Sequence, residues 1–186
     1  ARSQATGKRQ VTTYGLSGCS GGGETMAQLT TVLTGRLAEM LAGPAGLPYT
    51  VGALTESGSQ IPSPTVLAQS ISHELAERTA GVQYPAVYVY CEKLINELRE
   101  KFRMFSGKAR LAIEIRVSHD RLEETGQMLD FYVEAVTSVL DSRRGDWGNG
   151  AFYAGGYEVS FGPVKHGGKN FIQTAKVSLE VDVSAG

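Results

Sequence analysis

The stretch SGKARLAIEIRVS, residues 106–118, decides the fold of this chain. Apolar side chains recur in it at every second position with charged side chains between them, which is the pattern of a β-strand covered on one face. The apolar positions are Ala109, Leu111, Ile113, Ile115 and Val117, and the charged ones are Arg110, Glu114 and Arg116. We therefore expect a half-buried strand whose charged residues face solvent, with Ala112 as the only weak point in the alternation.

The residues that follow predict a helix and then a long hairpin. Within 121–141 an apolar stripe at helical spacing can lie across a sheet. Its members are Leu122, Leu129, Val133, Val136 and Leu140. The segments GGYEVSFGPV (155–164) and NFIQTAKVSLEVDV (170–183) predict the two hairpin strands, because apolar and polar residues alternate in the second of them. The whole pattern predicts an α+β fold, in which helices cover one face of a mixed or antiparallel sheet that ends in a long C-terminal β-hairpin.

The first third of the chain has weaker patterns. Residues 1–23 are polar, glycine-rich and basic, without the apolar periodicity that could offset the entropy of ordering, so they predict a flexible N-terminal arm. Residues 24–186 predict one domain, which begins with a helix from Glu24 to about Ala42 that Gly43 and Pro44 end. A loop and helix insertion is expected at about 55–80, with the helix over 65–79.

Three shorter elements complete this prediction. Residues 49–54 could form a short strand, and the proline-led segment Pro85 to Tyr90 predicts another, since proline is tolerated at the first position of a strand. Leu94, Ile95, Leu98 and Phe102 are spaced as in one or two helical turns before the next strand.

Composition excludes several classes of protein. The chain has 186 residues with 41% hydrophobic content, and its 18 basic and 19 acidic residues are interspersed, for a net charge of −1. That charge argues against a dedicated duplex-binding domain, which normally carries a basic face. The sequence has neither a long apolar run nor a secretory leader pattern, so a cytosolic site of synthesis is expected. Cys19 and Cys91 lack the spacing of metal ligands or of a disulfide scaffold.

Residues that could carry chemistry lack the required context. Gly18 to Gly22 matches G-x-S-x-G around Ser20, but no hydrophobic strand precedes it, and the run lacks the G-K-[ST] ending of a phosphate-binding loop. The histidines have no metal-ligand spacing, and no spacing singles out a carboxylate pair. These residues are His73, His119, His166, Asp141, Asp146 and Asp182. We predict no catalytic, cofactor or metal site.

Two loops are more distinctive. Residues 141–150, DSRRGDWGNG, hold the only tryptophan between glycines, and residues 161–170, FGPVKHGGKN, carry three cationic or ionisable groups. Trp147 could simply cover the sheet edge, and the second loop could be a plain hairpin connection. Exposed aromatic and arginine side chains are also what protein interfaces favour. The interface prediction comprises Arg143, Arg144, Trp147, Lys165, His166 and Lys169.

In its order of elements, the chain from about Glu24 to Ser184 resembles the tail terminator proteins of long-tailed bacteriophages. The resemblance lies in the proline-led strand 85–90, the strand 106–118, the helix 121–141 and the long hairpin after it. The insertion at 55–80 and the 23-residue arm are longer than a minimal terminator needs.

This resemblance implies a structural, non-enzymatic virion protein at the head–tail junction, assembled in the host cytoplasm. It implies a ring, commonly a hexamer, that caps the tail tube, ends polymerisation and offers a surface for head joining. The implied partners are other copies of the chain, the tail tube protein, a head-closure or connector protein and the tail sheath, while DNA passes through the lumen without specific binding. Two alternatives stay open: a different head–tail connector or neck protein, and a cytosolic serine hydrolase using Ser20.

Overall fold

The fold is mixed α+β, with helices against a curled sheet. The computed structural model describes residues 26–55, 61–69 and 83–186. The helices of this part are α1 (Met26–Ala42), α2 (Leu47–Leu54) and α3 (Leu122–Ser142). The strands are β1 (Thr65–Leu67), β2 (Ala86–Asn96), β3 (Phe105–His119), β4 (Gly145–Gly148), β5 (Ala151–Tyr153), β6 (Tyr157–Phe161), β7 (Lys165–Gly167) and β8 (Asn170–Ala185).

Two long strands form the centre of the sheet. β3 pairs antiparallel with β8 over its whole length, from Phe105 opposite Ala185 to His119 opposite Phe171. β2 pairs antiparallel with the other edge of β3, and β1 adds to β2 as the parallel strand that makes the sheet mixed. The second edge of β8 is shared by β5, β6 and β7, all antiparallel to it, and β4 pairs with β5. The predicted C-terminal hairpin is thereby confirmed as β6 and β8.

The core lies between the helices and one face of the sheet. All five alternating apolar residues of β3 are fully buried, as predicted, and they belong to one hydrophobic cluster with residues of α1, α2, α3 and β8. On α3 the predicted stripe is confirmed for Leu129, Val136 and Leu140, and Val133 packs partly buried against the core. The prediction that Leu122 is buried is wrong, because this residue occupies the first position of the helix and is 51% exposed.

The second face of the sheet is partly covered as well, which the alternation did not predict. Arg116 is only 1% exposed. Its guanidinium carbon lies 4.6 Å from the centre of the Tyr88 ring, and its Nε donates to Glu114 Oε1 at 2.6 Å. Tyr88 and Ala112 are also buried. Stacking on an aromatic ring and pairing with a carboxylate are what make an arginine tolerable at a buried position.

Three of the short-element predictions are wrong. Residues 49–54 belong to helix α2, because Pro48 lies in its first turn and Leu47 and Val51, four residues apart, bury against the core. Residues 65–67 form β1 where a helix was expected; the remainder of that predicted helix, the 1–23 arm, Ser20 and His73 lie outside the described residues. Residues 94–96 extend β2, so the apolar spacing of 94–102 reflects a hairpin and its connection.

The strand predicted after Pro85 is confirmed and continues six residues further, to Asn96. A bulge between Cys91 and Lys93 shifts its register against β3. In the described ranges, no helix combines the length and the apolar character needed to cross a membrane.

Candidate interaction surface

The sheet has two ends, which the long strand β8 connects. At one end, called the hairpin end, the β2–β3 connection (97–104), the β4–β5 turn and the C-terminus meet: Ser184 N–H donates to Gly150 O at 2.9 Å and Arg103 Nη1 to Gly186 O at 2.9 Å. At the other end, called the turn end, the β3–α3 corner lies beside the β7–β8 turn. Asn170 Nδ2 donates there to Ser118 Oγ at 3.4 Å.

Trp147 is a core residue of the hairpin end and is only 4% exposed. Its Nε1–H donates to Arg143 O at 2.7 Å, and its ring lies 5.3 Å from that of buried Tyr153, centroid to centroid. The apolar part of the indole is thus packed against another ring, and its N–H group has a hydrogen-bond partner. This position contradicts the prediction that Trp147 contacts a partner, and it favours the alternative that the residue covers the sheet.

The two arginines before Trp147 differ in their exposure. Arg144 is exposed and forms an ion pair with Asp141, which raises the pKa of its guanidinium. Asp141 also accepts from Tyr157 Oη at 3.4 Å. Arg143 is half-buried, and its Nε has no hydrogen-bond partner among the described residues. Arg144 therefore stays available at the surface, whereas Arg143 mainly supports Trp147 through its backbone carbonyl.

The turn end carries the second predicted set. Lys165, His166 and Lys169 are all exposed, on β7 and the turn that joins it to β8. The His166 ring contacts the Phe171 ring edge-on at a centroid distance of 4.7 Å, and its Nδ1 lies 3.3 Å from Gly168 O. No ion pair within the described part of the chain involves Lys165 or Lys169. Exposed Phe161 and Val164 lie beside them in the chain.

The structure does not bring the two predicted loops together. Ala151, next to the β4–β5 turn, pairs with Val183, whereas Lys165 pairs with Ile172. These two partners are eleven positions apart on the extended strand β8, which corresponds to about 36 Å at ~3.3 Å per residue. The predicted residues therefore belong to two surfaces at opposite ends of the molecule.

A third surface, which the sequence prediction missed, is the β2–β3 connection. Leu98 is 69% exposed, Phe102 is fully exposed and Met104 is 54% exposed. Leu98 and Phe102 also have positive φ angles, of 49° and 73°, a region that residues other than glycine seldom occupy. The spacing of Leu98 and Phe102 predicted one or two helical turns, which the structure does not form there.

The carboxylates considered for acid–base chemistry have structural partners. Asp141 pairs with Arg144, Asp146 Oδ1 accepts from Gly148 N–H at 2.7 Å, and Asp182 Oδ1 lies 3.3 Å from Arg99 Nη1. His119 lies between Asp120 and Glu124 at 3.1 Å from each. In residues 26–55, 61–69 and 83–186, no group of three His, Cys, Asp or Glu residues could hold a metal ion.

Several tyrosines have altered ionisation because they are enclosed. Burial raises the pKa of Tyr132, whose Oη donates to Pro62 O at 2.6 Å. Burial also raises the pKa of Tyr153, and nearby Asp141 adds to the effect. These shifts follow from packing at the helix–sheet interface.

Comparison of the sequence with models of known protein families finds no match, and comparison with curated proteins finds none either.

Proposed function

We propose that this chain is a ring-forming structural protein of the tail-terminator type, which caps a phage tail tube and offers a surface for head joining. The observation that carries the proposal is the chemical difference between the two ends of the sheet. The hairpin end exposes Leu98, Phe102 and Met104, and the turn end exposes Lys165 and Lys169 without ion-pair partners in the described chain. A subunit of a ring that caps a tube needs at least two unlike contact surfaces, one for its neighbours in the ring and one for an axial partner.

The sheet face opposite the helices, here called the outer face, supports the same function through the pairing of its charges. Its cations lie beside carboxylates: Lys108 pairs with Glu180 at 3.0 Å, and Arg110 with Glu158 at 3.0 Å. Lys176 pairs with Glu92 at 2.9 Å. Surface ion pairs of this kind add little stability, but they leave a nearly neutral face that does not grip phosphates. Such a face suits a wall past which DNA slides.

The proposal is tested by electron microscopy and analytical ultracentrifugation of the purified full chain. We expect closed rings, because two unlike patches that meet with a rotation that closes produce a ring and end growth. The same rings should bind the ends of purified tail tubes. Rings that bind the head portal and ignore tube ends would instead identify a different neck protein, and a protein that stays monomeric at all concentrations would contradict both.

A further inference from the structure

The β2–β3 connection, residues 97–104 and hereafter the tip, exposes apolar and charged side chains together. Its charged side chains are exposed and also bond back to the molecule: Glu100 Oε2 accepts from Ser184 Oγ at 3.0 Å, and Arg103 Nη1 donates to Gly186 O at 2.9 Å. Arg99 pairs with Glu97 and Asp182. Leu98, Phe102 and Met104 are also exposed and are among the most exposed large apolar side chains of the described residues. Exposed apolar groups clustered on one loop are typical of an interaction site.

The base of the tip is held in place by one side chain. Asn96 Oδ1 accepts from the N–H groups of Leu98, at 3.2 Å, and Ser106, at 3.1 Å. Asn96 Nδ2 donates to Met104 O at 3.3 Å. Local hydrogen bonds thus fix a conformation in which Leu98 and Phe102 have positive φ. Both side chains are exposed as well, Leu98 at 69% and Phe102 fully, and an unfavourable backbone conformation held at exposed apolar residues indicates a role outside the isolated subunit.

A matching apolar surface lies on strand β6. Tyr157, Val159 and Phe161, hereafter the edge strip, alternate along this strand opposite buried residues of β8, so they lie on the helix side of the sheet. Tyr157 is 39% exposed, Phe161 is 54% exposed and Val159 is half-buried. Within the described residues β6 pairs with β8 only, which leaves its second edge open. Open apolar edges of this kind invite pairing with another chain.

The two surfaces also differ in charge. In the tip, Arg99 pairs with Glu97 and Asp182, and Arg103 pairs with Glu100. The exposed Lys101 at the centre of the tip forms no ion pair among the described residues.

Helix α3, whose Asp141 lies 3.4 Å from Tyr157 Oη, carries five carboxylates and neither lysine nor arginine. Asp141 is already paired with Arg144, whereas exposed Asp130 and Glu134 of this helix form no ion pair within the described part of the chain. Lys101 and these carboxylates are opposite charges beside apolar patches, and electrostatic complementarity of this kind fixes the choice and register of partners.

We propose that the tip of one copy of this chain packs on the edge strip of a second copy, an inference that rests on the proposed ring function. The two patches are different and do not overlap, so each copy can give its tip to one neighbour and receive the tip of another. That is a heterologous contact, the type that produces a closed ring.

The buried area of the contact determines how strongly two copies of the chain associate. Burial of the aromatic Phe102 contributes roughly 150–250 Å². Leu98 and Met104 add roughly 100 Å² each, so the three together bury on the order of 400 Å² on one partner. This is about half of the ~800 Å² per partner of a standard stable interface. A single tip contact is therefore weak, whereas a closed ring, in which every copy makes two contacts, persists at lower concentration.

The experiment uses two full-length variants whose changes suit the local backbone. Phe102→Asn removes the aromatic ring at a positive φ that asparagine accepts, and Phe161→Thr places a good strand former on the edge strand. Tyr49→Ala is the matched control, because Tyr49 is an aromatic residue of α2 with 68% exposure. Circular dichroism and thermal melting confirm that each variant folds, and ultracentrifugation measures assembly.

We expect each of the two variants alone to raise the concentration for half-assembly at least about tenfold, while Tyr49→Ala assembles as wild type. An equal mixture of Phe102→Asn and Phe161→Thr should form dimers but not rings, because only one intact tip meets one intact strip. Rings that form normally from both variants would overturn the tip contact and leave the ring function standing. A wild-type chain that never assembles would overturn the proposed function and this contact together.

Discussion

At the scale of single residues, Trp147 anchors the hairpin end from inside. The indole is buried and hydrogen-bonded to Arg143 O, so Trp147→Ala removes a large apolar group and leaves a cavity. Such replacements cost about 3–5 kcal/mol. We expect the free energy of unfolding, measured in urea, to fall by that amount.

Phe152 provides the control for this prediction. It is a neighbouring aromatic residue, but it is 50% exposed, and Phe152→Ala should change the free energy of unfolding by no more than about 0.5 kcal/mol. If Trp147→Ala unfolds at the wild-type urea concentration, the indole is not the core residue described here, and its role as a partner contact returns.

The raised pKa of the Tyr132 phenol should make the free energy of unfolding depend on pH in the alkaline range. Its pKa is raised by burial, so the unfolded state ionises first, and stability that is complete below about pH 10 is lost as pH rises further. Tyr132→Phe loses the hydrogen bond to Pro62 O, which costs roughly 1 kcal/mol at pH 8, but it has no phenol to ionise. The stability difference between wild type and variant should therefore shrink or reverse between pH 8 and 11.

This comparison cancels the contributions of the other tyrosines, which are the same in both proteins. Tyr49→Phe, at an exposed position, should leave the difference constant across the same pH range. A gap between wild type and Tyr132→Phe that stays constant up to pH 11 would show that the phenol ionises without opening the structure.

Arg116 shows what residue-level patterns cannot predict. A charged residue between apolar neighbours on a strand indicates the face that is exposed to solvent. That interpretation holds for Glu180 on the neighbouring strand, which is exposed. It fails for Arg116 because its burial depends on Tyr88, a residue of β2 twenty-eight positions earlier, and on Glu114 beside it. Period tells which face a side chain is on, but only the tertiary structure tells what covers that face.

At the scale of elements, α3 supplies a matched pair of leucines. Leu129 is 1% exposed against the sheet, whereas Leu122 is 51% exposed at the start of the same helix. Leu129→Ala should lower the free energy of unfolding by about 2–5 kcal/mol through lost burial and a cavity. Leu122→Ala should leave it within about 0.5 kcal/mol. Equal effects of the two replacements, measured in urea, would mean that the helix has rotated or shifted along its axis.

The long elements were predictable and the short ones were not. The strand of 106–118 and the helix after it carry many repeats of their periods, so one irregular residue does not obscure them. Residues 49–54 and 94–102 carry too few repeats for the period to decide, and there tertiary contacts determine the structure. Pairing with β3 turns Leu94 and Ile95 into strand residues and leaves Leu98 and Phe102 at the tip.

At the scale of the whole molecule, the candidate surfaces were only partly predictable. The exposure of Lys165, His166 and Lys169 could be predicted, because cations on a glycine-rich turn are recognisable from the sequence alone. The sequence prediction misplaced Trp147, since a tryptophan between glycines looks the same whether it faces a partner or the core. The sequence did not reveal the tip. Whether an apolar side chain is exposed depends there on the hydrogen bonds that fix the backbone around it, and those are known only from the structure.

The two ends of the molecule should be separable by mutation. Lys165→Ala combined with Lys169→Ala removes two exposed cations from the turn end without touching the tip or the core. We expect this double variant to melt like wild type and to form normal rings. We also expect the rings to lose attachment to their axial partner, because removing exposed charges at a contact slows association. Phage complementation should then give tails of irregular length or tails without heads.

The control for this last prediction is a double variant with the same net charge as the Lys165 and Lys169 variant. Lys108→Ala with Lys176→Ala also removes two positive charges, but from the sheet face, where each lysine is paired with a carboxylate at 3.0 Å or less. Because that face makes no axial contact in the proposed ring, the control pair should complement in full. If the two double variants behave alike, the loss reflects net charge and not the turn end. If the Lys165 and Lys169 variant complements as well as wild type, the turn end is an ordinary connection between strands and the axial contact lies elsewhere on the ring.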